Sequence, residues 1–390
     1  MSVQETTPET VGDSGRILDS LEVQNFRAFR HLTVEKLGRV NLITGKNNVG
    51  KTSLLEALWV YADQGAARVI RRLLSMRDEL PTRMRVYEKS SIRIQEPSAE
   101  ALLRCAWSLF HNNRTTDGDL APITIGPMST SDATISLNLA WFERRESPDS
   151  ERPTLVQIPS KDIEQFAASP FLVINRGNER VRRYAVEQLS RVPFGQPTQG
   201  NLNCEAIWTD SLTQRRLDLL WDDVLRFDLE GEVVDALRLI VPDVSKIVVV
   251  SDVGGSDTRN VYLRLMGEDE PARLKRFGDG VNRLFLIALA MIKAANGLLL
   301  IDEVENGIHY SVQPDVWKFV FTLARRLNVQ VFATTHSWDC IEAFQQAAAE
   351  DDDPNSGVLI RLQNKGDNVV STVFSEQDLA VITREGIEVR

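Results

Sequence analysis

The 390-residue sequence is short of cysteine and histidine, has no long apolar run and carries no excess of positive charge. Each shortage closes off a class of protein. The three cysteines, Cys105, Cys204 and Cys340, stand far apart. That spacing builds neither a disulfide framework nor a zinc site and suits a reducing compartment, so a cytoplasmic location is expected. The most apolar stretch, Leu284 to Ile301, is interrupted by Lys293, Asn296 and Gly297 and closes at Asp302. A membrane span needs about 20 apolar residues in succession, so no membrane segment is expected and the stretch reads as a buried helix followed by a buried strand. With 45 Lys and Arg against 55 Asp and Glu, the net charge of −10 gives no general attraction to nucleic acid; any such site has to be a local basic patch. There is no internal repeat, and no heptad run that would build a long coiled coil. The opening MSVQETTPETVGDSG is polar and lacks the apolar centre of a signal peptide. Residues 1–15 are expected to be a disordered tail and residues 16–390 the folded body.

What is present begins with GKNNVGKTSLLEAL, Gly45 to Leu58, which fits G-x-x-x-x-G-K-[ST], a loop that wraps nucleotide phosphates. Gly45 and Gly50 let the backbone curl so that its N–H groups point inward, and the following helix adds the positive end of its dipole. The expected nucleotide contacts are Gly45, Lys46, Asn47, Asn48, Val49, Gly50, Lys51, Thr52 and Ser53. Lys51 reaches the β- and γ-phosphates of ATP, and Thr52 ligates Mg²⁺. A bare glycine turn before a helix is the plain alternative, but RVNLITG reads as a strand running into the loop and KTSLLEALWVYA as a helix leaving it, the context the motif requires.

Three further segments carry chemistry. GLLLIDEVENG sets four apolar residues, Leu298 to Ile301, ahead of two acids. Such a buried strand can deliver Asp302 beside Mg²⁺ and Glu303 beside a water aligned on the γ-phosphate; alone, it is equally a strand ending in two solvated acids. FATTHS ends a strand close to His336, where a γ-phosphate contact is needed. RFGDGVNRL places Gly278, Asp279 and Gly280 in a tight turn at a helix N-terminus, a place to offer backbone N–H groups to phosphate or simply an N-cap.

Elsewhere the pattern is coarser. Ile17 to Glu35 alternates in two short runs, as paired strands do. ATISLNLAWFERRE and PFLVIN read as strands, SKIVVVSD and NVYLRLMG as a hairpin, and SLTQRRLDLLWDDVLRF and GEVVDALRLI as helices. Near the end, Ser311 to Leu327 reads as a helix, VQVFATT as a strand, WDCIEAFQQAAAE as a helix and GVLIRLQNKGDNVVSTVF as a hairpin. Two arginine-rich segments, one with Arg68, Arg71, Arg72, Arg77, Arg83 and Arg85, the other with Arg176, Arg180, Arg182, Arg183 and Arg191, offer contacts to nucleic-acid phosphates or a protein partner. Interleaved acids make solvated helix faces the plainer reading.

The ordered set resembles an ATP-binding-cassette (ABC) ATPase head of the SMC, RecF and OLD (overcoming lysogenization defect) kind. GKNNVGKT resembles Walker A, LLLIDEVE Walker B, TTHS the switch-histidine loop and ENGIHYSV the region after Walker B. The opening LEVQNFRAFRHLTVE and the ending TREGIEVR are similar to those of stand-alone OLD-like, AAA-type bacterial ATPases. The likeness covers roughly the first 65 and the last 140 residues. It departs in two places: FGDG stands where an LSGGQ-type signature would, without the serine, and Asn48 replaces a common glycine, although asparagine tolerates left-handed backbone.

The resemblance implies an α/β P-loop NTPase, an ABC-ATPase head with a mixed sheet, an antiparallel β lobe and a helical lobe, the central residues 65–250 holding the β lobe and a helical insertion. It implies an ATPase using ATP and Mg²⁺, with Glu303 and His336 catalytic. It also implies that two or more copies pair, each Walker A facing the partner's FGDG turn, in a sensor or motor subunit of anti-phage defence. The chain has no room for a Toprim nuclease domain after His336, so a separate nuclease or toxin effector is expected. Two alternatives stay open: a RecF-like DNA-repair ATPase that binds DNA, and a nucleotide-dependent scaffold that does not hydrolyse. Glu303 weighs against the scaffold, which has no need of that acid.

Overall fold

The computed structural model describes residues 16–80, 84–88, 91–95, 98–111, 120–147, 150–165, 167–177, 181–192, 202–209, 214–251, 259–351, 353, 356–375 and 378. The polar segment 1–15, Arg83, Arg180 and the ending TREGIEVR lie outside these residues.

Two sheets sandwich one helix. The first sheet is built, in spatial order, from Asn203–Ile207, Gly297–Ile301, Gln330–Thr334, Val40–Gly45, Gly357–Lys365 and Asn368–Phe374. The first five run parallel, and the last returns antiparallel as a hairpin. Short continuous apolar runs suit such strands, because a parallel sheet is covered on both faces. Leu299 and Ile301 turn to a core shared with the helices Asp279–Lys293, Gln313–Arg326 and Trp338–Ala349. Leu298, Leu300, Ile43 and Phe332 turn to the other face, as the two-residue period of a strand demands.

On that other face lies the helix Lys51–Ala62, with apolar residues buried around most of its circumference. Against it packs an antiparallel sheet in the order Arg182–Ala185, Ala168–Arg176, Ile135–Ser147, Ile123–Gly126, Leu21–Phe26 and Phe29–Val34, with Ser150–Ile158 paired to the long strand. A three-stranded sheet (Val244–Ser251, Arg259–Leu265, Ala272–Arg273) and the helices Gln214–Arg226 and Glu230–Arg238 join the first core. The mixed sheet, the antiparallel lobe and the helical portion are thus all present. The apolar stretch Leu284 to Ile301 divides into helix and strand. Among the described residues no helix is long and apolar enough to cross a membrane.

This topology sets where chemistry can occur. Ile207 and Ile301 end neighbouring parallel strands, and the strand Gln330–Thr334 lies between those of Ile301 and Gly45, Ile301 pairing with Ala333 and Thr334 with Ile43. The carboxyl ends of these strands therefore form one edge, the usual ligand site of an α/β sheet.

Candidate functional site

At that edge the chain bends through the glycine loop. Gly45 has φ +143°, and a Cβ there would collide with the Leu362 carbonyl oxygen. Gly50 has φ +106°, and a Cβ would sit 2.9 Å from the Phe29 ring. Both positions exclude a side chain for reasons of backbone and space. Asn48 adopts φ +62°, the left-handed conformation expected of an asparagine replacing glycine. Gly50 caps the helix Lys51–Ala62 without any side-chain hydrogen bond, so the first-turn N–H groups have no side-chain acceptor and the dipole end faces outward. This cradle is built for an anion.

Lys51 lies over its own loop, its Nζ donating to the carbonyls of Gly45 (2.7 Å) and Lys46 (3.3 Å). Burial holds its pKa below the ordinary value, opposed by the charges of Asp302, Glu303 and Glu305. Thr52, 250 residues from Asp302 in the chain, places its hydroxyl 3.4 Å from each oxygen of that carboxylate. A hydroxyl and a carboxylate facing one another are the hard oxygen donors that Mg²⁺ takes from protein, the rest coming from water and phosphate. Burial pushes the Asp302 carboxyl above its ordinary value, while the Thr334 hydroxyl, 2.7 Å away, pulls it down. A divalent cation between Thr52 and Asp302 would offset that burial cost, so the donor set fits the ion.

Glu303 follows with φ +49°, an unusual conformation for a side chain of this size. Its N–H donates to Thr334 Oγ1 at 2.8 Å, and its Oε2 accepts from Asn306 Nδ2 at 2.7 Å. Glu303, Asp302, Thr334, Lys51 and Thr52 all line a cavity of about 1010 Å³. His336 lies just past the strand, with Nδ1 3.2 Å from Glu305 Oε1 and 3.8 Å from Glu303 Oε1. The phosphate loop, the acidic pair and the histidine therefore meet at one edge.

The FGDG turn sits apart. Gly278, at φ +86°, caps the helix Asp279–Lys293, and a Cβ on it would meet nothing within 4 Å. Asp279 is the first helical residue rather than the cap. Gly280 is packed inside its own chain: a Cβ there would lie 2.5 Å from the Gly307 carbonyl oxygen. None of the three is among the described residues lining the cavity.

Sequence reasoning gave no role to three residues that the fold brings here. Arg283, buried on the helix after FGDG, donates from Nη2 to the carbonyl oxygens of Asp302 (2.6 Å) and Glu303 (3.0 Å). Arg27, at φ +52°, pairs its Nη1 with Glu79 at 2.6 Å and brings Nε within 3.3 Å of the buried Glu56 carboxylate. Glu56 also binds Arg77 Nε at 2.7 Å; burial raises its pKa and both arginines oppose that rise. This network joins the phosphate-loop helix to the turn between Leu21–Phe26 and Phe29–Val34, and all four residues reach the cavity wall. Of the arginine-rich segments, Arg77 is used in this network, Arg68 pairs with Asp63, Arg182 donates to the Gln64 carbonyl and Arg183 covers the Phe142 ring at 5.4 Å. Arg72 lines the cavity.

Parallel strands feeding a glycine cradle, with a carboxylate from the end of the next strand but one opposite its hydroxyl, define a P-loop nucleotide-binding protein. The model of the AAA ATPase domain family matches residues 17–103 and 225–341, slightly over half of the chain, and the chain belongs to that family. It is an ATP-hydrolysing enzyme of the P-loop class. An ATP/GTP phosphatase of Helicobacter pylori is 22% identical over 386 residues, covering 93% of this chain and 97% of its own length. The DNA replication and repair protein RecF of Clostridioides difficile is 42% identical over 45 residues, 12% of each chain. Among solved structures, the Smc head domain with an extended coiled coil, bound to the C-terminal domain of ScpA derived from Pyrococcus furiosus, has a TM-score of 0.46 at 10% identity over 95% of this chain and 99% of its own.

Proposed function

We propose that ATP binding and hydrolysis in this chain control the pairing of two heads, with Glu303 as general base and His336 as a γ-phosphate contact. One observation carries the reading: Thr52 of the phosphate loop faces Asp302 at 3.4 Å while Glu303, the next residue, lines the same cavity. Lys51 exchanges its two carbonyl partners for the β- and γ-phosphates. Gly45 to Ser53 surround the phosphates with loop and helix N–H groups. Thr52 and Asp302 would hold Mg²⁺, which would neutralise phosphate charge. Glu303 takes a proton from the attacking water, and Asn306 and the Thr334 hydroxyl fix its orientation.

The pairing face we infer lies around Gly278 and Asp279. There the helix N-terminus has no side-chain cap. Nearby, beyond Gly307, an exposed Tyr310 is stacked on His309 with ring centres 4.4 Å apart. Aromatic side chains exposed beside a helix terminus suit a protein interface. In this reading the chain is a cytoplasmic, OLD-like sensor or motor subunit that hands its nucleotide state to a separate nuclease or toxin effector in anti-phage defence. Residues 16–390 act as one head. The test is the mass in solution of a Glu303→Gln chain with and without MgATP. A nucleotide-dependent doubling supports pairing, and an unchanged mass with ATP bound refutes it.

The RecF segment supports a second reading, a repair ATPase that binds DNA directly. It predicts salt-dependent DNA binding that falls when Arg71 and Arg72 are replaced; no binding by the wild type at low salt ends it.

A further inference from the structure

We propose that Glu305 is the positioning residue for His336, fixing which ring nitrogen carries the proton and which is left for the phosphate. The proposal rests on the reading of His336 as a γ-phosphate contact. Glu305 and Glu303 are two residues apart but face different surroundings. The Glu303 side chain is 37% exposed, whereas that of Glu305 is 7% exposed. A single oxygen of Glu305, Oε1, gathers the whole turn after the strand Gln330–Thr334. It accepts from Thr335 Oγ1 at 2.8 Å and from the His336 N–H at 3.0 Å, and it lies 3.2 Å from His336 Nδ1. Thr335 Oγ1 in turn accepts from the Ser337 N–H at 3.0 Å, and Ser337 caps the next helix.

A carboxylate can only accept, so the ring nitrogen that faces it must be the protonated one. Glu303 does not compete for this proton. Its Oε1 is 3.8 Å from Nδ1, beyond hydrogen-bond range, and its Oε2 is held by Asn306. With Nδ1 facing the Glu305 carboxylate at 3.2 Å, Nε2 is the nitrogen left to a ligand, on a side chain that is 54% exposed. Orientation through the second ring nitrogen is how carboxylates set the tautomer of functional histidines. The other oxygen, Glu305 Oε2, is buried without a hydrogen-bond partner.

The experiment uses the full chain labelled with ¹⁵N in its four histidines, the His336 signal being assigned from His336→Ala. In its neutral form the wild-type ring should show Nδ1 protonated and Nε2 unprotonated. Glu305→Ala should shift the ring toward the Nε2–H form. Glu305→Met, which roughly keeps the side-chain size if the alanine chain does not fold, should shift it the same way, because a thioether is only a weak acceptor for Nδ1–H. In ATP turnover either variant should lose about 10- to 100-fold in kcat, the range for carboxylates that orient metal-bound histidines, with KM changed by less than about twofold. In a His336→Ala background the same change should cost nothing further. An unaltered tautomer in the Glu305 variants, or losses that multiply in the double variant, overturns the proposal. If His336→Ala alone turns over like the wild type, the γ-phosphate reading falls, and the spectrum still decides whether Glu305 positions His336.

Discussion

Replacing Asp302 with asparagine should make the nucleotide-free, metal-free protein more stable at neutral pH while removing its response to MgATP. The Asp302 carboxyl is raised above its ordinary value of 3.8, chiefly by burial. The folded state therefore holds this proton more tightly than the unfolded state, and ionised Asp302 works against folding. Below the ordinary value both states are protonated and there is no penalty. The penalty grows as pH rises from there through the raised folded value and is complete above it. Asparagine carries no charge, and its Oδ1 can keep the 2.7 Å bond from Thr334. Removing a partly buried charge at this position should add about 1–3 kcal/mol at pH 7. The assay is urea denaturation of both chains in chelator between pH 4 and 8, comparing midpoints at equal slope. The midpoints should separate with rising pH. MgATP at about 100 times its dissociation constant should then stabilise the wild type by about 2.7 kcal/mol and the variant by much less. Equal midpoints at every pH, or equal stabilisation by MgATP, would refute the placement of Asp302 as a partly buried ion ligand.

Other expectations follow from the same geometry. Lys51→Ala should abolish binding of labelled ATP, since it removes the charge facing the β- and γ-phosphates; near wild-type affinity contradicts this. Arg27→Ala leaves the Glu56 carboxylate, 1% exposed, with Arg77 as its remaining close cation. It should cost about 3 kcal/mol in denaturation, with a smaller loss at low pH, where Glu56 is protonated; a change under about 0.5 kcal/mol would show the network to be incidental. Tyr310→Arg, at a residue 63% exposed, should leave stability within about 0.5 kcal/mol and weaken ATP-dependent pairing; undiminished pairing moves the interface elsewhere. Gly280→Arg should destabilise the single chain, because the new side chain meets the Gly307 carbonyl. Pairing tests belong at Tyr310 for that reason.

The parts of the site that are local in sequence were legible in it. The phosphate loop, the acidic strand and the strand before His336 each announce themselves through a motif and its flanking elements, and their order suffices to bring them to one sheet edge. The strand Asn203–Ile207 escaped notice. It lies at the edge of its sheet, and NCEAI mixes exposed polar residues with buried Ala206 and Ile207 instead of forming the apolar run of its neighbours. Arg27, Arg283 and Glu305 were illegible for a different reason. Each acts across a fold-dependent contact, Arg27 with the phosphate-loop helix, Arg283 with the carbonyls beyond the acidic strand, and Glu305 with the turn of another strand. No spacing rule connects such pairs. The FGDG turn could be read as a helix start from its glycines, but its packing against Gly307 depends on a close approach of two turns that neither segment reveals alone.

The central claim is that Glu303 is the base in a site that binds ATP independently of it. The most direct measurement compares Glu303→Gln with the wild type for both ATP affinity and turnover. Glutamine keeps the shape and can still meet Asn306, but it cannot accept a proton from water. ATP affinity should stay near that of the wild type, while turnover falls by about 10²–10⁴-fold, the usual contribution of a general base. Turnover within a few-fold of wild type, with ATP bound normally, would contradict the account.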